Sequence, residues 1–140
     1  SATNFSKENI ARAAMEAAIF AMLIGLGSFK RLGFAAYEIR LTGGGAKSAV
    51  WRDIAANVTD LPVRVPKEEE AAALGAALQA LWCYECIQRS RPVEIETIVD
   101  KHVNFDEGSN VEPEKLKVMK YEAAYAEYER YLGALTPLYR

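Results

Sequence analysis

Three consecutive glycines, Gly43, Gly44 and Gly45, followed by Ala46, Lys47 and Ser48, are the residues of this 140-residue chain best suited to chemistry. Glycine lets the backbone approach a ligand closely, and free N–H groups at the start of a following helix favour an anion or a ribose phosphate. An ordinary strand-to-helix turn needs one glycine, and each further one costs backbone entropy that something must offset. Binding of a nucleotide-like ligand is the reading that accounts for three. Two familiar phosphate motifs fit poorly. A Walker A loop fails because Leu41 occupies its first glycine position and Ala46 precedes Lys47 and Ser48. A dinucleotide fingerprint can start at Gly43 and Gly45, but Ser48 stands where its third glycine belongs, and Asp60 follows somewhat early for the ribose carboxylate; a dinucleotide stays an alternative.

Other candidates have simpler explanations. Cys83 and Cys86 have the spacing of a dithiol motif, yet they fall at the end of an alanine-rich helix, where the dipole disfavours a thiolate; buried structural cysteines are expected. His102 is the sole histidine, so neither a zinc site nor a catalytic triad is supported. Glu68, Glu69 and Glu70 suit the first turn of a helix better than a metal, and Tyr121, Tyr125 and Tyr128 share one helical face, which is core spacing.

The elements that must position these residues follow from periodicity. Ser6 is suited to cap a first helix, with Glu8 at its positive end, an apolar body to about Leu32 and Gly33 as its left-handed terminus. Glu16 is the only charge between Ala13 and Phe29, so this helix is expected to be buried on most sides. Residues 37–41 read as a short strand and residues 48–58 as a helix. Residues 61–66 read as a second strand, near a sheet edge because of Pro62 and Pro66. A third helix is expected after Pro66, with the three glutamates in its first turn. Its Gly75 costs about 1 kcal/mol relative to alanine and implies a close backbone contact. Residues 93–99 alternate like a strand, residues 106–110 read as loop, and a last helix runs from Pro113 to about Leu132, ended by Gly133. Strand, glycine turn, helix, strand, helix is an α/β order.

Composition sets the bounds. The chain is 51% hydrophobic and 26% charged, with a net charge of −2. At this size a folded surface of about 7,000 Å² is expected, with about two-thirds of the unfolded surface buried. The first 66 residues carry a net charge of +3 and the remainder −5, too weak a polarity for a nucleic-acid partner. The uncharged stretches 17–29 and 71–84 are shorter than the ~18 to 20 residues of a membrane span, so no membrane partner is expected. With two cysteines and no secretory pattern, the cytoplasm is the expected compartment. The chain does not start with methionine, which suggests an excised piece.

Four segments resemble the C-terminal part of the FGGY family of carbohydrate kinases. Asn9-Ile10-Ala11-Arg12-Ala13-Ala14-Met15-Glu16 is similar to the closing half of a family signature whose opening half would fall ahead of Ser1. Residues 42–52 resemble the family's adenosine-binding turn, in the form of its ketopentose kinases. Leu61-Pro62-Val63 with residues 69–77 looks like the small-residue helix of the inter-domain seam, and the tyrosines before Leu132 resemble the C-terminal helix. The resemblance is best over residues 1–86, with residues 87–112 an irregular connection and residues 113–134 a closing helix. It implies a helix-rich C-terminal portion of a ribonuclease-H-like (actin-like ATPase) domain with few short strands. It implies ATP or ADP as ligand, bound by the turn Gly43, Gly44 and Gly45 with the backbone of Gly44 and Gly45 near the adenine and ribose, Ser48 facing the same edge and Lys47 as a polar contact. The implied reaction moves the γ-phosphoryl group to a ketopentose, D-xylulose first, with ribulose, gluconate or glycerol as alternatives. A non-catalytic interaction module that buries the small-residue helix and the tyrosine face in a homo-oligomer is the rival. In the family the catalytic aspartate, the phosphate loops and the Mg²⁺ site lie upstream. No catalytic residue is therefore assigned here, and the missing N-terminal domain and a sugar are the implied partners.

Overall fold

The computed structural model describes residues 4–139; the signature half expected ahead of Ser1 lies outside them. Ser6 caps α1 (Lys7–Arg31), its hydroxyl accepting the Asn9 N–H at 3.2 Å, and Gly33 turns the chain away at φ +88°. β1 (Ile39–Arg40) leads to one helical turn, α2 (Gly44–Lys47), and then to α3 (Ala49–Thr59), which ends on Asp60 in the left-handed conformation. β2 (Val63–Arg64) follows, then α4 (Ala71–Arg89), α5 (Glu96–His102) and α6 (Lys115–Leu135), with a short 3-10 turn at Thr136–Tyr139. Helices and a parallel strand pair in this order give the expected α/β class.

α3 is the hub. Ile54, Ala55, Ala56, Asn57 and Val58 are all buried, because α1 and α6 pack on the helix and the strands lie beside it. Full burial of Ile54 contributes about 1.5–3 kcal/mol. The one buried polar side chain among the described residues, Asn57, is satisfied: its amide donates to the Asp53 carbonyl at 2.7 Å and its oxygen accepts the Glu114 N–H at 2.7 Å, locking α6 to α3. The Phe20 ring of α1 lies 6.3, 5.5 and 5.3 Å from the rings of Tyr121, Tyr125 and Tyr128. The tyrosine face is thus core, as its spacing implied.

Several expectations are corrected. β2 is not a bare edge: in a two-stranded sheet it pairs in parallel with β1, and an isolated bridge covers its other side, where Val63 exchanges hydrogen bonds of 2.8 and 3.0 Å with Val111. The prolines are tolerated because neither position has to donate: the Pro62 carbonyl accepts the Ile39 N–H at 2.8 Å, and on the other side the donors are Val63, to the Val111 carbonyl, and Val65, to the Asn110 side chain at 3.4 Å. Glu68, Glu69 and Glu70 precede α4 instead of opening it, since the Lys67 N–H is tied to the Asn104 carbonyl and the chain becomes helical only after Glu70. Residues 96–102 are helical where a strand was expected; the same apolar residues satisfy a helical period and bury Ile98. α6 runs through Gly133 without a left-handed turn.

The largest correction concerns burial. α1 is buried only at Ile19 and Phe20, while Ile10, Met22 and Phe29 are more than half exposed. It packs on one side alone, and the total accessible surface is 10209 Å² against the ~7,000 Å² of a compact chain of this size. Gly75 has no atom within 4 Å of the position of a Cβ, so the close contact it implied is not made among the described residues. α1 is also long and apolar enough to cross a membrane by length and composition, the one such helix among the described residues, because Glu16 interrupts it without ending its apolar character. Glu16 accepts from Arg12 at 2.9 Å and from the Tyr121 hydroxyl at 2.8 Å, and α1 packs on α3, so one face of this helix is committed to the protein while the other stays uncovered.

Candidate functional site

Two parallel strands define where a ligand fits. β1 runs into the glycine turn and β2 into Lys67, so both loops leave the carboxyl edge of the pair, where open α/β sheets hold their ligands. Between them lies a cleft of about 510 Å³, walled by Gly43, Ala46, Lys47 and Arg52 on one side and by Lys67, Glu68, Glu69 and Asp106 on the other. That volume suits a small organic ligand.

The three glycines do not share one reason. Gly43 has φ +72° and ψ −157°, a region open in practice to glycine alone. Gly44 and Gly45 are helical. A Cβ on Gly44 would meet nothing within 4 Å, and one on Gly45 only the Trp51 ring at 3.9 Å. Alanine fits both places and favours a helix by up to about 1 kcal/mol each. The chain's own structure therefore explains Gly43 and leaves Gly44 and Gly45 unexplained, which is the pattern expected where something outside the chain approaches the backbone.

Of the residues singled out in the sequence, Gly43 and Lys47 line the cleft, whereas Gly44, Gly45 and Ser48 stand beside it. Ser48 caps α3, its hydroxyl accepting the Trp51 N–H at 3.4 Å. The Lys47 ammonium meets the Glu69 carboxylate at 2.6 Å across the cleft mouth; with these side chains 63% and 68% exposed, the pair adds little stability.

Sequence reasoning missed Arg52. Its guanidinium donates to the Ala46 carbonyl at 2.6 Å, while its Nε–H is buried with no acceptor among the described residues. Leaving such a donor unpaired costs about 1–3 kcal/mol. The available signal was spacing: four residues beyond Ser48, Arg52 returns to the helix face that carries the turn. Asp106 was missed for another reason. It reaches the cleft because its N–H donates to the Val65 carbonyl at 2.8 Å, a pairing across 41 residues with no local signature.

The cleft carries Lys47, Arg52 and Lys67 against Glu68, Glu69 and Asp106. The balance suits a neutral, hydrogen-bonding group better than a polyphosphate. Among the described residues no three His, Cys, Asp or Glu side chains are placed to hold a metal ion. A larger hollow of about 780 Å³ lies along α1 near Phe29, Phe34 and Leu61; its lining is mostly apolar, with Lys30, Arg31, Thr59 and Glu129 among it, but Ala35, Ala36 and Leu61 place it at the amino edge of the strands, so the smaller cleft at the carboxyl edge is the better candidate. Cys83 is exposed, not buried as expected, because α4 packs mainly on α5; Cys86 is half-buried, its sulfur accepting the Val93 N–H at 3.4 Å.

Residues 1–84 match the family described as "FGGY family of carbohydrate kinases, C-terminal domain". Over 137 residues the chain is 42% identical to a xylulose kinase of Haemophilus influenzae, covering 98% of this chain and 26% of that protein. Over 103 residues it is 35% identical to a probable L-xylulose kinase of the same organism, covering 74% of this chain and 19% of that one. The structure superposes on the crystal structure of xylulose kinase from Rhodospirillum rubrum with a TM-score of 0.78 at 23% identity, over 95% of this chain and 26% of that one. The chain thus spans about a quarter of the length of the relative it matches over nearly its whole extent.

Proposed function

The chain belongs to the FGGY family of carbohydrate kinases, with the fold of the C-terminal portion of their ribonuclease-H-like domain, and from that premise we propose that it supplies the adenosine side of a sugar-kinase site. The reaction is transfer of the γ-phosphoryl group of ATP to a hydroxyl of a ketopentose, D-xylulose first, with ADP released and the hydroxyl proton taken by a base. The observation that carries this reading is the bare backbone of Gly44 and Gly45, for which the chain itself offers no reason, at the carboxyl edge of two parallel strands.

The residues divide the work by chemistry. Gly43 makes the turn, and Gly44 and Gly45 let the purine and ribose lie close to the main chain. The charge-balanced cleft suits that uncharged end of the nucleotide, and Lys47, exchanging Glu69 for a ligand oxygen, adds a polar contact. Mg²⁺, which neutralises phosphate charge during transfer, would be held with the phosphates by other parts of the enzyme. The same applies to the base. Asp53 is engaged by Lys117 at 2.8 Å, Asp60 terminates α3, and the Asp106 carboxylate accepts the Gly108 N–H at 3.2 Å, so these aspartates are committed to structure. The exposed face of α4 around Ala72 and Gly75 would meet the opposite lobe when the enzyme closes, in a cytoplasmic setting. The homo-oligomer reading loses half its basis, because the tyrosine face is used against Phe20.

Titration of the ¹⁵N-labelled chain with ADP tests the proposal. Shifts confined to residues 43–48 and 67–69 support it. An unmoved glycine turn with another surface responding, or a stronger response to NAD than to ADP, overturns it.

A further inference from the structure

Arg52 stands at the junction of the glycine turn and the cleft. One guanidinium nitrogen donates to the Ala46 carbonyl at 2.6 Å, and Ala46 is the buried residue of α2. α2 is a single helical turn that the extended Ser48 separates from α3, and it is closed only by short-range bonds, the Ser48 N–H to the Gly45 carbonyl at 3.2 Å and the Ala46 N–H to the Gly43 carbonyl at 3.1 Å. Two glycines in four residues give this turn little intrinsic preference for helix. A charge-assisted bond to the Ala46 carbonyl supplies from outside what the turn lacks.

The cost of keeping this side chain argues the same way. Its Nε–H is buried without an acceptor, although a methionine or lysine stem would fill the same space without orphaning that donor. A guanidinium held under those terms is held for what its head group touches. Resting on the nucleotide reading above, we propose that Arg52 is a positioning residue: it keeps Gly44–Lys47 in the one shape that presents bare backbone to the nucleotide, so that binding does not have to order the turn first. The ordering cost moves from the binding step to folding, which is preorganisation.

The test combines amide hydrogen exchange with ADP titration on the full chain, comparing wild type with Arg52→Met and Arg52→Lys, and thermal melts identify any variant that fails to fold. The expectation for Arg52→Met is at least tenfold faster exchange at the amides of Ala46 and Ser48 and at least tenfold weaker ADP binding at temperatures well below its melting point. Arg52→Lys, which keeps a cation with a shorter reach, should recover part of both. A merely structural arginine would lower the melting temperature and leave exchange at the turn and ADP affinity within twofold of wild type, and that result overturns the proposal. Should Arg52→Met not fold, Arg52→Lys alone decides between the same two outcomes. If wild type shows no ADP response while Arg52 substitution still loosens Ala46 and Ser48, the positioning role stands and the nucleotide reading falls.

Discussion

Replacing Gly44 with alanine should make the chain more stable and worse at binding nucleotide, while the same change one residue earlier should make it less stable. Gly44 is helical and a Cβ there meets nothing within 4 Å. The gain from helix propensity is up to about 1 kcal/mol, and about half of that at a first-turn position. For a chain of this size that is a rise of about 2–4 °C in Tm. Gly43 has φ +72° with ψ −157°, where an L-residue is strained by about 1–3 kcal/mol, so Gly43→Ala should lower Tm by about 4–12 °C. If the open space over Gly44 is where adenosine lies, the added methyl pushes the ligand off the backbone, and a loss of about 1 kcal/mol is a fivefold weaker Kd. Scanning calorimetry gives the first quantity and ADP titration of the labelled chain the second. A Gly44→Ala chain that melts higher and binds ADP like wild type would refute the assignment of Gly44 to the nucleotide. One that melts lower would refute the local geometry from which the sign was derived.

Three further outcomes are expected. Asn57→Leu orphans the Glu114 N–H in a site with no exposure, and should cost about 1–3 kcal/mol, seen as a lower urea midpoint at unchanged m-value. Lys117 is pushed up from 10.5 to about 12, first by its hydrogen bond to Asp53 and then by that to Glu114. A raised lysine pKa contributes stability that is complete below about 10.5 and lost as pH climbs through about 12, so Lys117→Met should flatten the pH dependence of Tm in that window. A disulfide reagent should modify Cys83 faster than Cys86, and Cys83→Ser should remove the fast phase; equal rates would contradict the half-burial of Cys86 against Val93.

Local chemistry was legible in the sequence where the cause was local. The Ser6 cap, Gly33 as the end of α1 and the core spacing of the tyrosines all depend on residues within a few positions of one another, and the structure has them as read. The errors fall where distant chain decided. The prolines around β2 suggested an edge, but Val111 supplied a second neighbour 48 positions away. Residues 93–99 carried a pattern that serves helix or strand, and packing of Ile98 beneath α4 chose helix. At the candidate site the turn was visible, since three glycines are a local signal. Arg52, Glu69 and Asp106 were not, because their part in the cleft comes from which loops the paired strands bring together.

The glycines also say something about surfaces. Gly25, Gly44, Gly75 and Gly133 each sit inside a helix, exposed, with open space where a Cβ would be, so local geometry required none of them. Each lowers helix stability by up to about 1 kcal/mol in the chain taken alone. Gly25 lies on the side of α1 that also exposes Met22 and Phe29, and Gly75 on the bare side of α4. Helix faces that combine such glycines with uncovered apolar side chains are shaped for close approach by other polypeptide. That accounts for the excess of 10209 Å² over a compact chain's ~7,000 Å² in the same terms as the bare turn at Gly44. The two cases differ in what would fill the space. Around α1 the uncovered groups are mostly apolar, with Lys30 and Arg31 toward its end, which suits a polypeptide neighbour. At the glycine turn the neighbours are Lys47, Arg52, Glu69 and Asp106, balanced charges around exposed backbone, which suit the small polar ligand proposed above.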